Sequence, residues 1–483
     1  MFKDVGLLAF GAYIPRSRLQ RSAIFSANSW FAPELQLAAH GERSAANWDE
    51  DTITMAVEAA RDALTGFDRA SVSAISLAST TLPFADRLNS GIVKEALNLP
   101  DSLTSIDSSG SQRAGTAALI QALHGVGKAT HLCIASERRI ARPASEAELK
   151  NGDAAAALLI GRGEQVIARY IGSHSVTIDF VDHFRAADQQ FDYTWESRWI
   201  RDEGYNKIAG ESLRDALSQI GLKAEEIDRA VIAITAPSIA KSLAKRAGIR
   251  PEAVADTLIS NVGDSGVAHP FLMLADALEA AKPGQIILLA AFGQGLDVLA
   301  FETTPALSSL PPRSGVSGCL DRRKADSNYM RFLFHRGLID LERGMRAEGD
   351  QKQPGSTLYR NRKTVLALIG GRCTRTGSVQ FPKSEISVNP NDHALHTQVD
   401  HPLADRLAKI VSYTADNLTY SPAPPAYFGA IDFEGGGRMM AEFTDIDPEQ
   451  IDVGRDVRMV FRIKATDELR RFKRYFWKAT SAD

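Results

Sequence analysis

The sequence is 483 residues long and carries 56 lysines and arginines against 59 aspartates and glutamates, a formal net charge of −3. A balance this close to neutral argues against a protein whose main task is to wrap nucleic acid or to lie on an anionic membrane. Apolar residues make up 44% of the chain, which is enough for well-packed interiors. The length predicts about two or three globular domains.

The beginning of the chain is predicted to form a strand. One lysine and one aspartate precede the apolar run from Val5 to Phe10, which is shorter than the core of a signal peptide. No stretch of the sequence reaches the roughly 20 apolar residues that a membrane helix needs. The cysteines Cys133, Cys319 and Cys373 have no metal-type spacing, and an odd number of them favours a reducing compartment. We therefore expect a cytoplasmic protein.

An internal repeat follows along the chain. Residues 108–137 run from a Gly/Ser-rich loop through a helical pattern into a buried-strand pattern, and residues 263–292 follow the same plan. Short apolar runs at 72–78 and 230–236 add a matching strand to each copy. Continuous apolar strands that alternate with helices indicate sheets covered on both faces. We therefore predict an internally duplicated α/β region.

Changes in composition suggest the domain boundaries. The two α/β halves span about 1–165 and 166–303, and residues 304–327 have the prolines, serines and glycines of a linker. Residues 328–400 begin with a helical pattern. Residues 401–483 contain short β-rich runs separated by glycine-containing turns, which predicts a small all-β barrel of OB-fold size.

Residues 107–116 read Asp-Ser-Ser-Gly-Ser-Gln-Arg-Ala-Gly-Thr. This resembles the sharp loop and helix start that carries the acyl-accepting cysteine in ketoacyl synthases, thiolases and hydroxymethylglutaryl-CoA (HMG-CoA) synthases. With further motifs at 10–16, 49–61 and 292–295, the first part of the chain resembles the HMG-CoA synthase branch of the thiolase superfamily. The last part resembles the zinc-ribbon and OB-fold proteins that accompany thiolase-like enzymes. The resemblance implies a duplicated αβαβα fold followed by an OB-fold domain.

The cysteine of the pattern is missing. Asp107, Gly115 and Thr116 occupy their places, while Gln112 stands where the nucleophile should be. An amide cannot form a thioester, so Gln112 cannot accept an acyl group. Ser111 could accept one if a base lay within hydrogen-bonding reach. The alternative is that Ser111 is a turn residue and helix cap, and that Gln112 lines the pocket.

The resemblance implies a Glu, Cys, His constellation. Glu42 lies at the spacing of the glutamate and would transfer a proton to or from the oxygen on the carbon being attacked, for which partial burial must raise its pKa. In the alternative interpretation, Glu42 is a solvated residue in a charged loop without a catalytic role. Thr235 replaces the histidine, so no base remains at that position. Lys241 either matches a lysine near the phosphates of CoA or is a charge on a helix surface.

The third loop of such sites, usually Gly-Asn followed by small residues, corresponds here to residues 260–270. Asn261 matches the asparagine, and its amide would hold the thioester oxygen. Asp264 and His269 are further titratable groups on or near this loop and are candidates for catalysis. Because a His-Pro pair at a helix start is often only a capping arrangement, a structural role for His269 stays open.

Residues 373–390 correspond to a zinc ribbon. Cys373 keeps its place in the ribbon pattern, but the other ligand positions include Thr376, Ser387 and Pro390. Tetrahedral zinc needs four nitrogen or sulfur ligands, which one thiolate cannot supply. We predict that this degenerate ribbon binds no metal.

The OB region also suggests a nucleic-acid interface, because Arg458, Arg462, Lys464 and the segment 469–478 mix basic with aromatic residues. The negative net charge of the chain and the fusion to an acyl-CoA-type domain argue against this interpretation. A solvated basic face or a site for the phosphates of CoA is the better account.

The missing cysteine and the resemblance together predict an enzyme that makes or breaks a carbon–carbon bond in an untethered acyl-CoA, by aldol or retro-aldol chemistry on a 3-hydroxyacyl-CoA. Glu42 would take the hydroxyl proton, and donors near Asn261 and the Gln112 loop would stabilise the enolate. Two alternatives stay open: an HMG-CoA synthase or acyltransferase that uses Ser111, and a non-catalytic acyl-CoA scaffold.

The resemblance implies CoA as the acyl carrier, a homodimer, and a partner thiolase or hydratase. We expect no nucleic acid or membrane partner.

Overall fold

The computed structural model describes residues 4–127 and 129–482, which divide into two compact units. Within these residues, the second unit consists of Asn47–Thr54, Ile92–Asn98 and the chain from Ile339 onward, and the first unit is the remainder. The second unit therefore takes two short segments from the N-terminal part of the chain, which composition alone assigned wholly to the α/β region.

The first unit is built from strands that alternate with helices. Its strands, in chain order, are β1 (Val5–Tyr13), β2 (Ser17–Gln20), β3 (Glu42–Ser44), β4 (Val72–Ala78), β5 (Thr104–Ser108), β6 (Thr130–Glu137), β7 (Ala154–Arg162), β8 (Ala168–Thr177), β9 (His183–Phe184), β10 (Tyr193–Thr194), β11 (Arg229–Ala233), β12 (Ile286–Phe292), β13 (Gly295–Thr303) and β14 (Lys324–Asp326).

Eleven α-helices lie among the described residues of this part of the chain. They are α1 (Arg21–Asn28), α2 (Thr52–Ala63), α3 (Asn89–Ala96), α4 (Ala114–Gly125), α5 (Glu146–Lys150), α6 (Ser197–Trp199), α7 (Gly210–Ile220), α8 (Pro237–Arg246), α9 (His269–Glu279), α10 (Gly315–Asp321) and α11 (Tyr329–His335), with a π-helical segment at Ile200–Ala209 between α6 and α7. Every helix among residues 4–127 and 129–482 is too short or too polar to cross a lipid bilayer.

Strand order confirms the predicted α/β duplication. The main sheet has the order β11-β12-β13-β8-β1-β7-β6-β4-β5. In one half β4 is parallel to β6, and β6, β7 and β1 are successively antiparallel. In the other half β11 is parallel to β12, and β12, β13 and β8 follow in the same antiparallel manner. Strands such as β7, with eight consecutive buried residues, are the continuous apolar runs that indicated a sheet covered on both faces.

The two repeated helices, α4 and α9, share one hydrophobic core. Leu119 and Leu123 of α4 belong to the same buried cluster as Phe271 and Leu274 of α9, and all four side chains are inaccessible to solvent. Gly115 lies at the contact between the two halves, because a Cβ there would come within 3.1 Å of the carbonyl oxygen of Val267. The start of α4, which carries the Gln112 loop, is thereby held against the third loop.

Residues 304–327, which the composition predicts to be a linker, are folded into the first unit. They contain α10 and β14, and Val316 and Cys319 are buried. The carboxylate of Glu279 accepts hydrogen bonds from the amides of Val316 and Ser317 at the start of α10. The small residues and prolines thus serve turns and a helix start on the surface of a packed domain.

Helix α9 begins at His269, whose side chain is buried. Its Nδ1 lies 3.2 Å from the hydroxyl of Ser265. Burial lowers the pKa of His269, and the charge of Asp264 and the backbone of Thr257 offset this only in part. The neutral imidazole is therefore favoured in the folded chain, as expected of a histidine that supports the helix start.

His269 should make the first unit less stable in mild acid. As the pH falls below the ordinary histidine pKa of about 6.5, the unfolded chain takes up a proton that the folded chain does not, so the free energy of unfolding decreases. The stability advantage of the wild type over His269→Asn, measured by urea unfolding, should be larger at about pH 7.5 than at about pH 5.5. The exposed His40→Asn serves as control; an advantage of equal size at both pH values would contradict the assignment.

The second unit is mainly antiparallel β-structure. Its elements are α12 (Gly355–Arg360), α13 (Arg362–Leu366), β15 (Ile369–Cys373), β16 (Val379–Gln380), β17 (Gln398–Pro402), β18 (Ala408–Asp416), β19 (Ala426–Phe433), β20 (Arg438–Glu442), β21 (Asp456–Asp467) and β22 (Phe472–Ser481). The strands form a three-stranded sheet, β16-β15-β17, and a five-stranded sheet, β20-β19-β18-β21-β22.

The degenerate ribbon lies in the three-stranded sheet, with Cys373 at the end of β15. The hydroxyl of Thr397 lies 3.2 Å from its sulfur. Hydrogen bonds from Thr376 and Thr397 lower the pKa of the Cys373 thiol to about 6. Within the described parts of the chain, no group of three or more His, Cys, Asp or Glu side chains is arranged to hold a metal ion.

Buried ion pairs join the segment Asn47–Thr54 to the five-stranded sheet inside the second unit. Asp49 and Glu50 are at most 1% exposed. Lys478 Nζ lies 2.9 Å from Asp49 Oδ2, and Arg462 Nη2 lies 3.1 Å from Glu50 Oε1. Arg462 and Lys478 are thus neutralised in the interior, so these two residues are not part of a solvated basic face, whereas Lys464 and Arg470 are exposed as that interpretation predicted.

Removing one of these carboxylates should destabilise the second unit. Asp49→Asn leaves the buried ammonium of Lys478 without its nearest counter-charge, and Glu442, 3.4 Å away, compensates only in part. We expect a loss of about 3 kcal/mol in the free energy of unfolding, because a broken buried pair leaves an uncompensated charge.

The measurement is urea unfolding of the full chain, followed by tryptophan fluorescence, to which Trp477, buried in the second unit, contributes with four other tryptophans. The exposed Glu449→Gln provides the matched control, since it also exchanges a carboxylate for an amide. Equal transition midpoints for the two variants would show that the pair contributes nothing to stability.

Candidate active site

The Gln112 loop connects β5 to α4, and its first residues are fixed by hydrogen bonds. Asp107 accepts from the amides of Asn89 and Ser90 at 2.7 and 2.8 Å, so this member of the pattern caps α3. Ser111 Oγ accepts from the amide of Arg113 at 3.1 Å. The hydroxyl of Ser111 is therefore engaged in the turn before α4, as its structural interpretation requires.

A buried ion pair fixes the other side of the loop. Arg113 Nη1 lies 2.6 Å from Asp297 Oδ1 of β13, and Thr116 donates to the second oxygen of Asp297 at 2.7 Å. Arg113 Nε also donates to the carbonyl of Gly293 at 2.6 Å. A Cβ at Gly293 would lie only 3.2 Å from Gln112 Cβ. The absence of a side chain at residue 293 therefore leaves room for the Gln112 side chain.

Gln112 contacts a histidine that the sequence analysis did not select. Gln112 Nε2 lies 3.3 Å from His183 Nε2, and His183 Nδ1 lies 3.0 Å from Asp182 Oδ1. Burial alone raises the pKa of Asp182, but the hydrogen bonds and charge of His183 outweigh it, so the pKa lies below its ordinary value. An ionised Asp182 accepts the Nδ1 proton and leaves the Nε2 lone pair facing Gln112. This is the arrangement of a general base.

Tyr205 lies in the π-helical segment. Its ring meets Phe292 edge-on, with 5.1 Å between the ring centroids. Burial and the charges of Asp182 and Asp264 raise the pKa of Tyr205 to about 12. The phenol therefore stays protonated near neutral pH.

Asp264 is the residue of the third loop, 260–270, whose side chain reaches this site. Its Oδ2 lies 3.3 Å from Arg139 Nη1, and its Oδ1 accepts from the amide of Gly266 at 2.9 Å. Arg139 in turn holds Asp192 at 2.8 Å. Asn261, the residue selected from the pattern, has an exposed side chain on the preceding turn. The structure thus brings Asp264, and not Asn261, into the network of charged residues beside Gln112.

Gly266 separates Gln112 from a buried carboxylate, Glu137. A Cβ at Gly266, whose φ is +53°, would lie 2.8 Å from Gln112 Oε1 and 3.0 Å from Glu137 Cγ. Gln112 Oε1 is buried and has no hydrogen-bond partner within the described residues. Burial raises the pKa of Glu137, although hydrogen bonds from Thr80 and Thr81 offset part of this effect. Only glycine fits between the two side chains.

Glu42 and Lys241 have other surroundings. Glu42 Oε2 accepts from Gln20 at 3.0 Å, and its Oε1 lies 3.5 Å from Arg323 Nε and 4.0 Å from Arg18 Nε. The Glu42 side chain is 15% exposed, and its carboxylate lies between two guanidinium groups. Lys241 is exposed on α8, the place expected of a helix-surface charge.

The residues that sequence reasoning missed are Asp182, His183, Tyr205, Glu137 and Arg139. The sequence analysis selected no residue from the segments 180–184 and 204–206. The one local signal for the dyad is an Asp directly before a His in an aromatic-rich segment. Since the partner, Gln112, is 71 positions away, the contact could not be inferred from spacing.

Residues 217–301 match the family of 3-oxoacyl-[acyl-carrier-protein] synthase III C-terminal domains, and residues 402–462 match the family of ChsH2 C-terminal OB-fold domains. The chain is 28% identical to the hydroxymethylglutaryl-CoA synthase of Methanosarcina mazei, over 70% of this chain and 99% of that protein. It is 29% identical to the corresponding enzyme of Archaeoglobus fulgidus, over 69% of this chain and 99% of that protein.

Solved structures show the same fold. MvaS in complex with 3-hydroxy-3-methylglutaryl coenzyme A is similar with a TM-score of 0.58 and 19% identity, over 71% of this chain and 93% of that one. Xanthomonas campestris OleA is similar with a TM-score of 0.56 and 20% identity, over 63% of this chain and 99% of that one.

These matches confirm the resemblance on which the sequence analysis drew, while the degenerate ribbon lies outside both matched ranges. The chain is similar to hydroxymethylglutaryl-CoA synthases and shares their fold, and its residues 402–462 match an OB-fold domain.

Proposed function

We propose that this protein is an enzyme that breaks or forms the C2–C3 bond of a 3-hydroxyacyl-CoA, by retro-aldol or aldol chemistry, while the acyl group stays on CoA. The observation that carries the proposal is the contact between Gln112, which cannot accept an acyl group, and His183, which is backed by Asp182. A structural neighbour in complex with 3-hydroxy-3-methylglutaryl-CoA supports a substrate of the 3-hydroxyacyl-CoA class.

His183 supplies the base in the direction of cleavage. Its Nε2 takes the proton of the 3-hydroxyl, the C2–C3 bond breaks, C3 becomes a carbonyl, and the electron pair passes to C2 and the thioester oxygen as an enolate. A proton then returns to C2, so that a carbonyl compound and a shorter acyl-CoA leave. Asp182 stabilises the imidazolium formed in the first step. The amide of Gln112 is the donor nearest to His183.

The acyltransferase alternative, in which Ser111 carries the acyl group, is less well supported. Ser111 Oγ already accepts a hydrogen bond from the amide of Arg113, and the base of this site contacts Gln112. An acyltransferase predicts an ester on the protein, detectable by intact-protein mass spectrometry. The non-catalytic scaffold, which would serve a partner thiolase or hydratase, predicts binding of CoA thioesters without turnover.

The role of Glu42 changes within this proposal. Its carboxylate is engaged by Gln20 at 3.0 Å and by two guanidinium groups within 4.0 Å. We therefore assign the hydroxyl proton to His183 and propose a structural role for Glu42, whose backbone amide also donates to the carbonyl of Ser260 at 2.9 Å. CoA as the acyl carrier and contacts of Lys241 with its phosphates stay proposals.

Replacement of the base should abolish cleavage. His183→Asn removes the imidazole but keeps an amide near Gln112, and loss of a positioned base costs roughly 10²–10⁴-fold in rate. We expect kcat for release of the shorter acyl-CoA, measured by liquid chromatography, to fall within this range.

Glu42→Gln is the matched comparison and should lower kcat less than tenfold if its carboxylate is structural. His40→Asn, an exposed histidine, controls for loss of an imidazole elsewhere. A His183→Asn enzyme with wild-type kcat, or a larger loss in Glu42→Gln, would return the proton-transfer role to Glu42.

We also propose a homodimer formed through β5, the outermost strand beside the Gln112 loop. β5 ends the main sheet, and Ile106 at its centre is 50% exposed. An edge strand with an apolar residue is a template for pairing with a second copy.

Ile106→Lys should therefore convert the dimer into a monomer, because a charge would be buried between the strands. Light scattering after size exclusion should give twice 52.4 kDa for the wild type and 52.4 kDa for the variant. Leu37→Lys, at a residue that is 92% exposed, should leave the mass of the dimer unchanged. A monomeric wild type would refute the dimer.

A further inference from the structure

His183 lies on a small hairpin, residues 182–195, which we name the base hairpin. Its strands, β9 and β10, are two residues long and form a two-stranded sheet of their own, apart from the nine-stranded sheet. A hairpin of this size is marginally stable by itself in water. Its position, and with it the position of the imidazole, must therefore come from side chains that anchor it to the rest of the first unit.

The pairing of the two strands divides the side chains of the base hairpin between two faces. Phe184 pairs with Tyr193, and both rings are exposed on the outer face. The same register places Arg185 opposite Asp192, and Arg185 Nη1 lies 3.1 Å from Asp192 Oδ1. Successive side chains of a strand point to opposite faces. His183, Arg185 and Asp192 therefore share the inner face, which is turned toward the site.

Arg139, in the loop after β6, holds this inner face. Its Nε and Nη2 lie 3.0 and 2.8 Å from Asp192 Oδ2, and its Nη1 lies 3.3 Å from Asp264 Oδ2. The three side chains are at most 19% exposed. Hydrogen bonds between ionised partners are roughly twice as strong as neutral ones. Arg139 thus joins the base hairpin to the third loop, which borders Gln112.

A second anchor leads to the same place in the fold. Arg185 Nη2 donates to the carbonyl of Thr80, whose amide and hydroxyl donate to Glu137 Oε2 at 3.1 and 3.0 Å. Glu137 is buried at the end of β6, two residues before Arg139. Asp192 accepts from both arginines, so its carboxylate is where the two anchors of the base hairpin meet.

We propose that Arg139 and Asp192 are positioning residues that hold the base hairpin where His183 Nε2 meets Gln112 Nε2. The inference rests on the proposed function and adds to it two residues that act through the imidazole, away from the reacting atoms. Proton transfer requires the base within hydrogen-bond reach of the proton it takes. A displacement of about 1 Å can slow an enzymatic reaction roughly 10²-fold.

Kinetics of three variants test the proposal. Arg139→Met removes the donors and should lower kcat for release of the shorter acyl-CoA roughly 10²-fold, with KM unchanged. Asp192→Asn leaves the contact of Arg139 with Asp264 in place and should cause a similar loss. The double variant should lose no more than either single variant, because both remove one interaction. Arg139→Lys keeps the charge without the planar fork and should restore kcat in part.

Amide hydrogen exchange tests the anchor without turnover. The full-length protein is exchanged in deuterium oxide without substrate, and peptides are analysed by mass spectrometry. Peptides of the base hairpin should exchange faster in Arg139→Met and in Asp192→Asn than in the wild type, while peptides of α4 keep the wild-type rate and show that the variants are folded. Arg214→Met, at an exposed arginine of α7, is the matched control and should change neither exchange nor kcat.

Wild-type kcat in Arg139→Met, or unchanged exchange in its base hairpin, would overturn the positioning role. Losses that multiply in the double variant would also overturn it, since Arg139 and Asp192 would then act separately. Faster exchange in both single variants, together with no cleavage of any 3-hydroxyacyl-CoA by the wild type, would instead keep the anchor and refute the retro-aldol function.

Discussion

The arrangement of the site depends on the buried ion pair between Arg113 and Asp297. Arg113 directly follows Gln112 in the chain, and Asp297 lies on β13 of the other half of the duplicated fold. A charge pair in the interior is stable only when its hydrogen bonds are satisfied, and here Thr116 and the carbonyl of Gly293 complete them. The pair therefore fixes one loop from each half in a single relative position, and it determines where the side chain of residue 112 lies.

At residue 112 the amide of Gln112 makes contacts that the thiol of a cysteine would not make. The amide donates to His183 Nε2, while its oxygen is enclosed beside Gly266 and Glu137. A neutral His183 that donates from Nδ1 to Asp182 can accept this hydrogen bond, so the amide and the dyad are mutually consistent. The site keeps the means for proton transfer and electrostatic stabilisation and lacks the means for acyl transfer at residue 112. The bond cleavage proposed above, on a substrate that stays on CoA, requires only the groups that are present.

Much of the fold could be predicted from the sequence, because local patterns carry it. The apolar runs of β6, β7 and β12, separated by amphipathic helices, predicted a covered sheet, and their repetition predicted the duplication. The burial of Arg462 and Lys478 could not be predicted in this way, since their partners lie in the segment Asn47–Thr54, which is distant in sequence.

The site was predictable where a motif is local and not where the contacts are distant. The loop at 107–116 identified residue 112 because the whole pattern lies within one turn and one helix start. The third loop gave both Asn261 and Asp264 as candidates; which of the two side chains turns inward depends on tertiary contacts, and the structure places Asp264 beside Arg139 while Asn261 is exposed. His183 reaches the site from a hairpin whose position is set by tertiary contacts, so no spacing rule could have selected it.

The central claim is that the acyl group is processed on CoA and is never transferred to the protein. The most direct measurement is mass spectrometry of both the CoA thioesters and the intact protein, during incubation of the enzyme with a panel of 3-hydroxyacyl-CoAs. The account predicts a shortened acyl-CoA and a carbonyl compound in equal amounts, with the protein at its unmodified mass. An acylated protein, or the absence of a shortened acyl-CoA with every member of the panel, would contradict it.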